Sequence, residues 1–340
     1  MKNFAIRVCP AVALCLLALP AMAQSCLGDL NADRTVTGTD LGILLGQWGQ
    51  AGSGDLNGDG IVGGADIGLM LGAWGNCPVT VPSWATLIEP IPDLTVVTDN
   101  SMRAGIAASG LPWRVRDTSS QIEMLLVPAG IFTMGCTASN AYQCNSNEIP
   151  THTVTLTQAF YMGRYEVTQA QWQAKMGSNP SWFQGANRPV EMVSWNTIQN
   201  FLNATGMRLP SEAEWEYACR AGTTTAFNNG SSDDNSVGAI AWYSANSLMV
   251  THTVGSKAAN ALGLHDMSGN VWEWVNDWYS STYYASSPAT NPQGPPAATT
   301  RVVRGGAWGD SSSIRSSSRF NPGTPDGKGW QTGFRVARTP

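Results

Sequence analysis

The sequence predicts an α+β fold built largely of loops, preceded by a small all-α module that takes up metal. Three observations carry that expectation. Thirty-six glycines and 19 prolines punctuate short apolar runs along the 340 residues, so regular elements must be short. A six-residue acidic motif near the N-terminus recurs at a fixed spacing. Cysteines bracket two separate segments, and a chain of this length can hold two domains around one sizeable core.

Residues 1–23 read as a signal peptide. Lys2 and Arg7 precede an apolar run from Val8 to Leu19, which ends at Ala21-Met22-Ala23. That run is too short to span a bilayer and no later stretch is apolar enough, so the expectation is a protein without a membrane span, secreted or held at the cell surface. A net charge of −5 with only 13% charged residues excludes the basic stripe that nucleic acid requires. Export permits disulfides among Cys26, Cys77, Cys136, Cys144 and Cys219. Cys26 and Cys77 bracket the first module, Cys136 and Cys144 bracket a polar loop, and these are the expected pairs. Cys219 is left as a buried, inert thiol on the apolar side of a helix.

Residues 24–77 carry the duplication. Gly28-Asp-Leu-Asn-Ala-Asp33 returns as Gly54-Asp-Leu-Asn-Gly-Asp59, a period of 26 residues. Asp29, Asn31 and Asp33, with the Thr35 carbonyl and Asp40, stand at positions 1, 3, 5, 7 and 12 of an EF-hand register. Asp55, Asn57, Asp59, the Ile61 carbonyl and Asp66 do the same in the second copy. Alternating oxygens from a tight loop plus a distant carboxylate form the many-oxygen shell that calcium prefers. Position 6, where glycine allows the turn, is Gly60 in the second loop but Arg34 in the first, which should weaken the first site. Apolar stripes follow each loop, Leu41, Leu44, Leu45 and Trp48, then Ile67, Met70, Leu71 and Trp74, and should pack two helices together. One loop and one helix per repeat resembles a dockerin, a half EF-hand pair. That resemblance implies a cohesin-like scaffold or surface protein as partner.

Residues 78–110 form a connector, extended through Pro78, Pro82, Pro90 and Pro92, with a short helix from Asp99 to Ser109 closed by Gly110. The large domain is placed at 111–340. Ser211 and Glu214 make a capping box for a helix that Gly222 closes. Arg164 to Thr168 and Val190 to Trp195 alternate as strands would, with Glu166 and Glu191 in structural roles. His152, His252 and His265 read as isolated structural residues rather than a three-histidine metal site.

Six ordered blocks then resemble the sulfatase-modifying-factor family, whose best-known members are formylglycine-generating enzymes: Met124-Leu-Leu-Val-Pro-Ala-Gly-Ile-Phe-Thr-Met-Gly135, Arg164 to Gln169, Arg208 to Gly222, Gly269-Asn-Val-Trp-Glu-Trp274, Arg304-Gly-Gly306 and Gly333-Phe-Arg335. The resemblance implies a fold related to C-type lectins. It also implies one buried calcium, held by the carboxylates of Asp266 and Glu273 and the carbonyls of Gly269 and Val271. In the enzymes two thiolates after the Arg-Gly-Gly block hold Cu(I), yet no cysteine follows Cys219 here. Asp310 and Arg315 fall where the thiols would be in an ungapped alignment, Ala307 replaces the family serine, and Ser316 stands at the partner position of Cys219. The serines from Ser311 to Ser318 cannot replace thiolates as copper ligands or nucleophiles. The function read from these residues is a non-catalytic binding or structural domain with a tethering module. The alternative is a diverged oxidoreductase acting on protein cysteine or another substrate. Trp308, Trp330, Tyr283 and Tyr284 would suit a carbohydrate or peptide ligand.

Overall fold

Each acidic loop leads into a nine-residue helix, α1 (Gly38–Gly46) and α2 (Gly64–Gly72). The start of each helix is fixed by an aspartate three residues on. Asp40 accepts the Thr37 backbone N–H at 2.9 Å and Asp66 that of Gly63 at 2.7 Å. The computed structural model describes residues 26–31, 33–137, 144–311, 313–321 and 323–340, so the expected signal peptide lies outside the described residues. Thr35–Val36 pairs antiparallel with Gly75–Asn76, and the Cys26–Cys77 disulfide closes the unit with its Cα atoms 5.4 Å apart. Val36, Leu44, Val62 and Met70 form its fully buried core. The apolar stripes are less buried than expected. Leu45, Trp48, Leu71 and Trp74 stay 48%, 50%, 54% and 49% exposed, because helices this short shield only one apolar side chain each completely, Leu44 and Met70.

The connector does more than connect. Its helix α3 (Asn100–Ala108) begins where expected, with Asp99 accepting the Met102 N–H at 2.9 Å. Upstream, however, Ala85–Glu89 is the edge strand of an antiparallel five-stranded sheet. The order is Ala85–Glu89, Arg114–Asp117, Glu123–Val127, Phe160–Gly163 and Ala337–Arg338. A boundary at residue 111 would cut through this sheet. Arg34 joins the first module to the connector, donating to the carbonyls of Pro78 (2.7 Å) and Ala107 (3.2 Å).

A second, four-stranded sheet runs Arg319–Phe320, Arg301–Arg304, Trp272–Trp278, Thr332–Gly333, with only the last pairing parallel. Helix α4 (Gln169–Met176) packs on α5 (Trp195–Thr205), while α6 (Glu212–Arg220) packs against Trp272–Trp278 and Arg301–Arg304. The segments Arg164 to Thr168 and Val190 to Trp195 are not strands. They end at Thr168 and Ser194, the N-caps of α4 and α5; Met192 has φ +59°, and the two segments meet in a single bridge, with Val190 N–H on the Val167 carbonyl and Gln169 N–H on that of Arg188, in place of a ladder. The Ser211–Glu214 capping box forms as expected, with bonds of 2.8 and 3.2 Å, and Cys136 pairs with Cys144.

Candidate functional site

The Arg304-Gly305-Gly306 turn positions the site. Gly305 and Gly306 have φ of +94° and +75°, and a Cβ on Gly306 would lie 2.7 Å from the Ser313 carbonyl, so glycine is required. The turn folds the following segment back onto the Arg301–Arg304 strand. Arg304 is fully buried and donates to Glu216 (2.6 Å), Glu212 (3.2 Å) and the carbonyls of Ser316 and Ser317. Arg319 grips both oxygens of Glu212 at 2.7 Å, and Arg220 holds Glu216. Burial alone would raise the Glu216 carboxyl, but Arg220 and Arg304 outweigh it and hold the group below its ordinary value.

The positions expected for the thiols are occupied by committed side chains. Asp310 accepts the Ala307 N–H at 2.8 Å and bonds Trp272, with burial raising its carboxyl. Arg315 is buried against Glu148, with both guanidinium nitrogens at 2.6 Å, and Ser317 donates to the same carboxylate. Cys219 is the free cysteine among the described residues. It is fully buried beside Ser316, and burial pushes its thiol up to about 11. These residues do not fit a Cu(I) dithiolate, since no thiolate stands among the described residues after the Arg-Gly-Gly turn.

Beside this lattice opens a cleft of about 360 Å3. Trp272, Tyr279 and Phe320 supply its aromatic walls, the rings of Trp272 and Phe320 lying 5.7 Å apart and tilted by 38°. Asn147, Ser313 and Ser318 supply polar edges. Asn147 spends its amide N–H groups on the Tyr279 hydroxyl (2.9 Å) and the Arg319 carbonyl (3.3 Å), which leaves its Oδ1 buried without a partner. Ser318, 2% exposed, likewise leaves Oγ unpartnered. None of the four aromatic residues singled out from the sequence lines this cleft: Trp308 and Tyr284 are buried, while Trp330 packs against Trp182 at 6.0 Å. Trp272 lay within a recognisable block, but Phe320 and Asn147 gave no signal, because Phe320 is placed by pairing with Val303 and Asn147 by its bonds to Tyr279 and the Arg319 carbonyl, contacts between distant segments. A larger cavity of about 530 Å3 lies between α3 and α6, but its Asp99, Tyr217 and Arg220 all have partners.

The two acidic loops match nearly bond for bond. Asp33 N–H reaches Asp29 Oδ1 and Asn31 Oδ1 at 3.1 and 2.9 Å, and Asp59 N–H reaches Asp55 and Asn57 at the same distances. Arg34 adopts φ +67° where Gly60 has +95°, so the arginine is forced into the glycine conformation. Thr35 and Ile61 N–H groups bond Asp33 and Asp59. Asp40 and Asp66 sit fully buried as helix caps, each also accepting two loop N–H groups. Among the described residues, Cys26, Asp29 and Cys77 bring three potential ligand atoms within 4.8 Å, but the two sulfurs are joined in a disulfide.

In the large domain, Asp266, Gly269 and Asn270 all have positive φ, and Gly269 packs so close to Trp242 that a Cβ would lie 2.2 Å from its carbonyl. Asp266 accepts the Gly255 N–H at 2.6 Å. Glu273 is engaged by Arg335 at 2.5 and 2.6 Å and by the Trp215 indole at 2.6 Å. Glu166 accepts Asn270 and the Val271 N–H, which keeps it structural, as Glu191 is through the Phe183 N–H. Burial first, then the mutual repulsion of Glu166, Asp266 and Glu273, raises the Glu166 carboxyl, and Asp266 is pushed up to about 6.

This Arg-Gly-Gly turn, the buried lattice beneath it and the two short sheets define a domain class. Residues 113–340 match the sulfatase-modifying factor enzyme 1-like domain, and the chain belongs to that family. It is 32% identical over 281 residues to the chaperone protein LppX of Paenibacillus barcinonensis, an alignment spanning 66% of this chain and 91% of that protein. It is 30% identical over 299 residues to the formylglycine-generating enzyme of Streptomyces coelicolor, spanning 69% and 94%. The solved structure of PvdO from Pseudomonas aeruginosa superposes with a TM-score of 0.59 at 30% identity, covering 67% of this chain and 98% of that one.

Proposed function

We propose that this chain is a non-catalytic binding member of its family, exported, stabilised by calcium and tethered through its N-terminal module. The observation that carries the reading is the commitment of Asp310 and Arg315 to structural bonds, with the free thiol of Cys219 buried and held protonated. Calcium would be held by Asp29, Asn31, Asp33 and the Thr35 carbonyl, and by Asp55, Asn57, Asp59 and the Ile61 carbonyl, hard oxygens suited to that ion. In the large domain, Asp266 and the carbonyls of Gly269 and Val271 would hold it, with Glu273 shared with Arg335. Calcium there would supply the positive charge that one guanidinium does not give to three buried carboxylates. Tethering to a cohesin-like partner is supported by the twin exposed pairs Leu45 with Trp48 and Leu71 with Trp74, which repeat one exposed apolar pattern at the C-terminal end of each helix. Two disulfides agree with export. Metal analysis of the purified protein, read beside oxygen consumption with a cysteine peptide, tests the reading. Calcium without copper and without turnover is expected; copper-dependent turnover would establish the oxidoreductase instead.

A further inference from the structure

We infer that the cleft beside the Arg-Gly-Gly turn takes a neutral, hydroxyl-rich ligand, a carbohydrate pyranose, seated on Phe320 and Trp272; this rests on the reading of the domain as a binding module. The charge of the cleft comes first. Arg319 lines it, but its guanidinium is spent on both oxygens of Glu212 and on the carbonyls of Asn147 and Ser280. Among the described residues lining the cleft, that leaves no free cation for an anionic ligand. Glu212 behind them is neutralised by Arg319 and Arg304, so it offers no free carboxylate to a cationic one.

The polar groups come next. Asn147 is oriented by its two donated bonds, which leaves Oδ1 as an unpartnered acceptor in the cleft lining, and Ser318 Oγ can donate or accept. Two buried polar atoms without partners in a cleft are costly unless a ligand satisfies them. A carboxylate or a phosphodiester brings no donor to Asn147, whereas sugar hydroxyls can both donate and accept. Phe320, 51% exposed beside Trp272, offers an apolar face for the C–H side of a pyranose ring. A peptide strand fits less well: Asn147 already occupies the Arg319 carbonyl on the sheet edge, one of the acceptors such a strand would pair with.

The test is calorimetric titration of the full chain with cellotetraose, maltotetraose, mannotetraose and chitotetraose, beside a galacturonate tetramer and a cysteine-containing peptide. At least one neutral oligosaccharide should bind and quench tryptophan fluorescence. Phe320→Ala, at a half-exposed position, should weaken that binding roughly tenfold, Ser318→Ala should weaken it several-fold, and melting temperatures should show both variants folded. Failure of every neutral oligosaccharide to bind, or binding that Phe320→Ala leaves unchanged, overturns the inference. Peptide binding without turnover also overturns it while sparing the binding-module reading. Turnover of the cysteine peptide would overturn that reading as well.

Discussion

Cys219 and Ser316 face one another in the core, where a second cysteine would close a bond across the domain. Ser316→Cys should therefore oxidise to a disulfide with Cys219 and stabilise the fold, by up to about 4 kcal/mol on loop-closure grounds, which a raised melting temperature would report. A count of two free thiols in that variant under oxidising conditions would contradict the placement. Asp277 gives a second test at this scale. Burial, then the charge of Glu212, pushes its carboxyl well above 3.8. The folded state thus keeps a proton that the unfolded chain releases, so the group's stabilising contribution is complete below about pH 3.9 and is lost as pH rises through the folded pKa. Asp277→Asn retains an acceptor for the Glu212 N–H and cannot ionise. Its melting temperature should fall less than that of the parent as pH rises above about 4, and parallel curves would show that Asp277 does not titrate in this way. What was legible among single residues was local. The Ser211–Glu214 cap spans three positions, whereas Glu148 and Arg315 lie 167 apart and Glu273 and Arg335 lie 62 apart, with no pattern in between to announce them.

The paired loops repeat one internal hydrogen-bond pattern, because each loop is closed by its own near neighbours. The repeat itself was readable from the alternating Asp and Asn side chains. The capping task of Asp40 and Asp66 was not, since it depends on where each helix begins. Arg34 in the left-handed region costs about 1–2 kcal/mol relative to glycine, so the second loop should bind calcium more tightly. In calorimetry on the full chain, Asp59→Ala should remove the tighter of the two module sites and Asp33→Ala the weaker. The reverse order would refute the strain argument. The false strands at Arg164 to Thr168 and Val190 to Trp195 show the opposite case: chain entering a helix cap alternates like a strand but forms only an isolated bridge, and Met192 at φ +59° interrupts the second segment.

Across the whole molecule, Arg34 links the first module to the connector, and the connector's strand Ala85–Glu89 belongs to the five-stranded sheet. A composition rich in proline marked residues 78–92 as extended but could not show that Arg114–Asp117 would pair with them. Arg34→Gly should relieve the strained loop and tighten the calcium binding proposed for it, while cutting the tie. Limited proteolysis mapped by mass should then show faster cleavage between residues 78 and 84, and an unchanged digestion pattern would mean that Arg34 does not hold the modules together. The central claim, that the family fold persists here without the family's copper thiols, is tested most directly by supplying the purified protein with copper, oxygen and a sulfatase-motif cysteine peptide, and measuring formylglycine by mass spectrometry. No conversion is expected, with or without added copper. Turnover that survives Cys219→Ser would contradict the account.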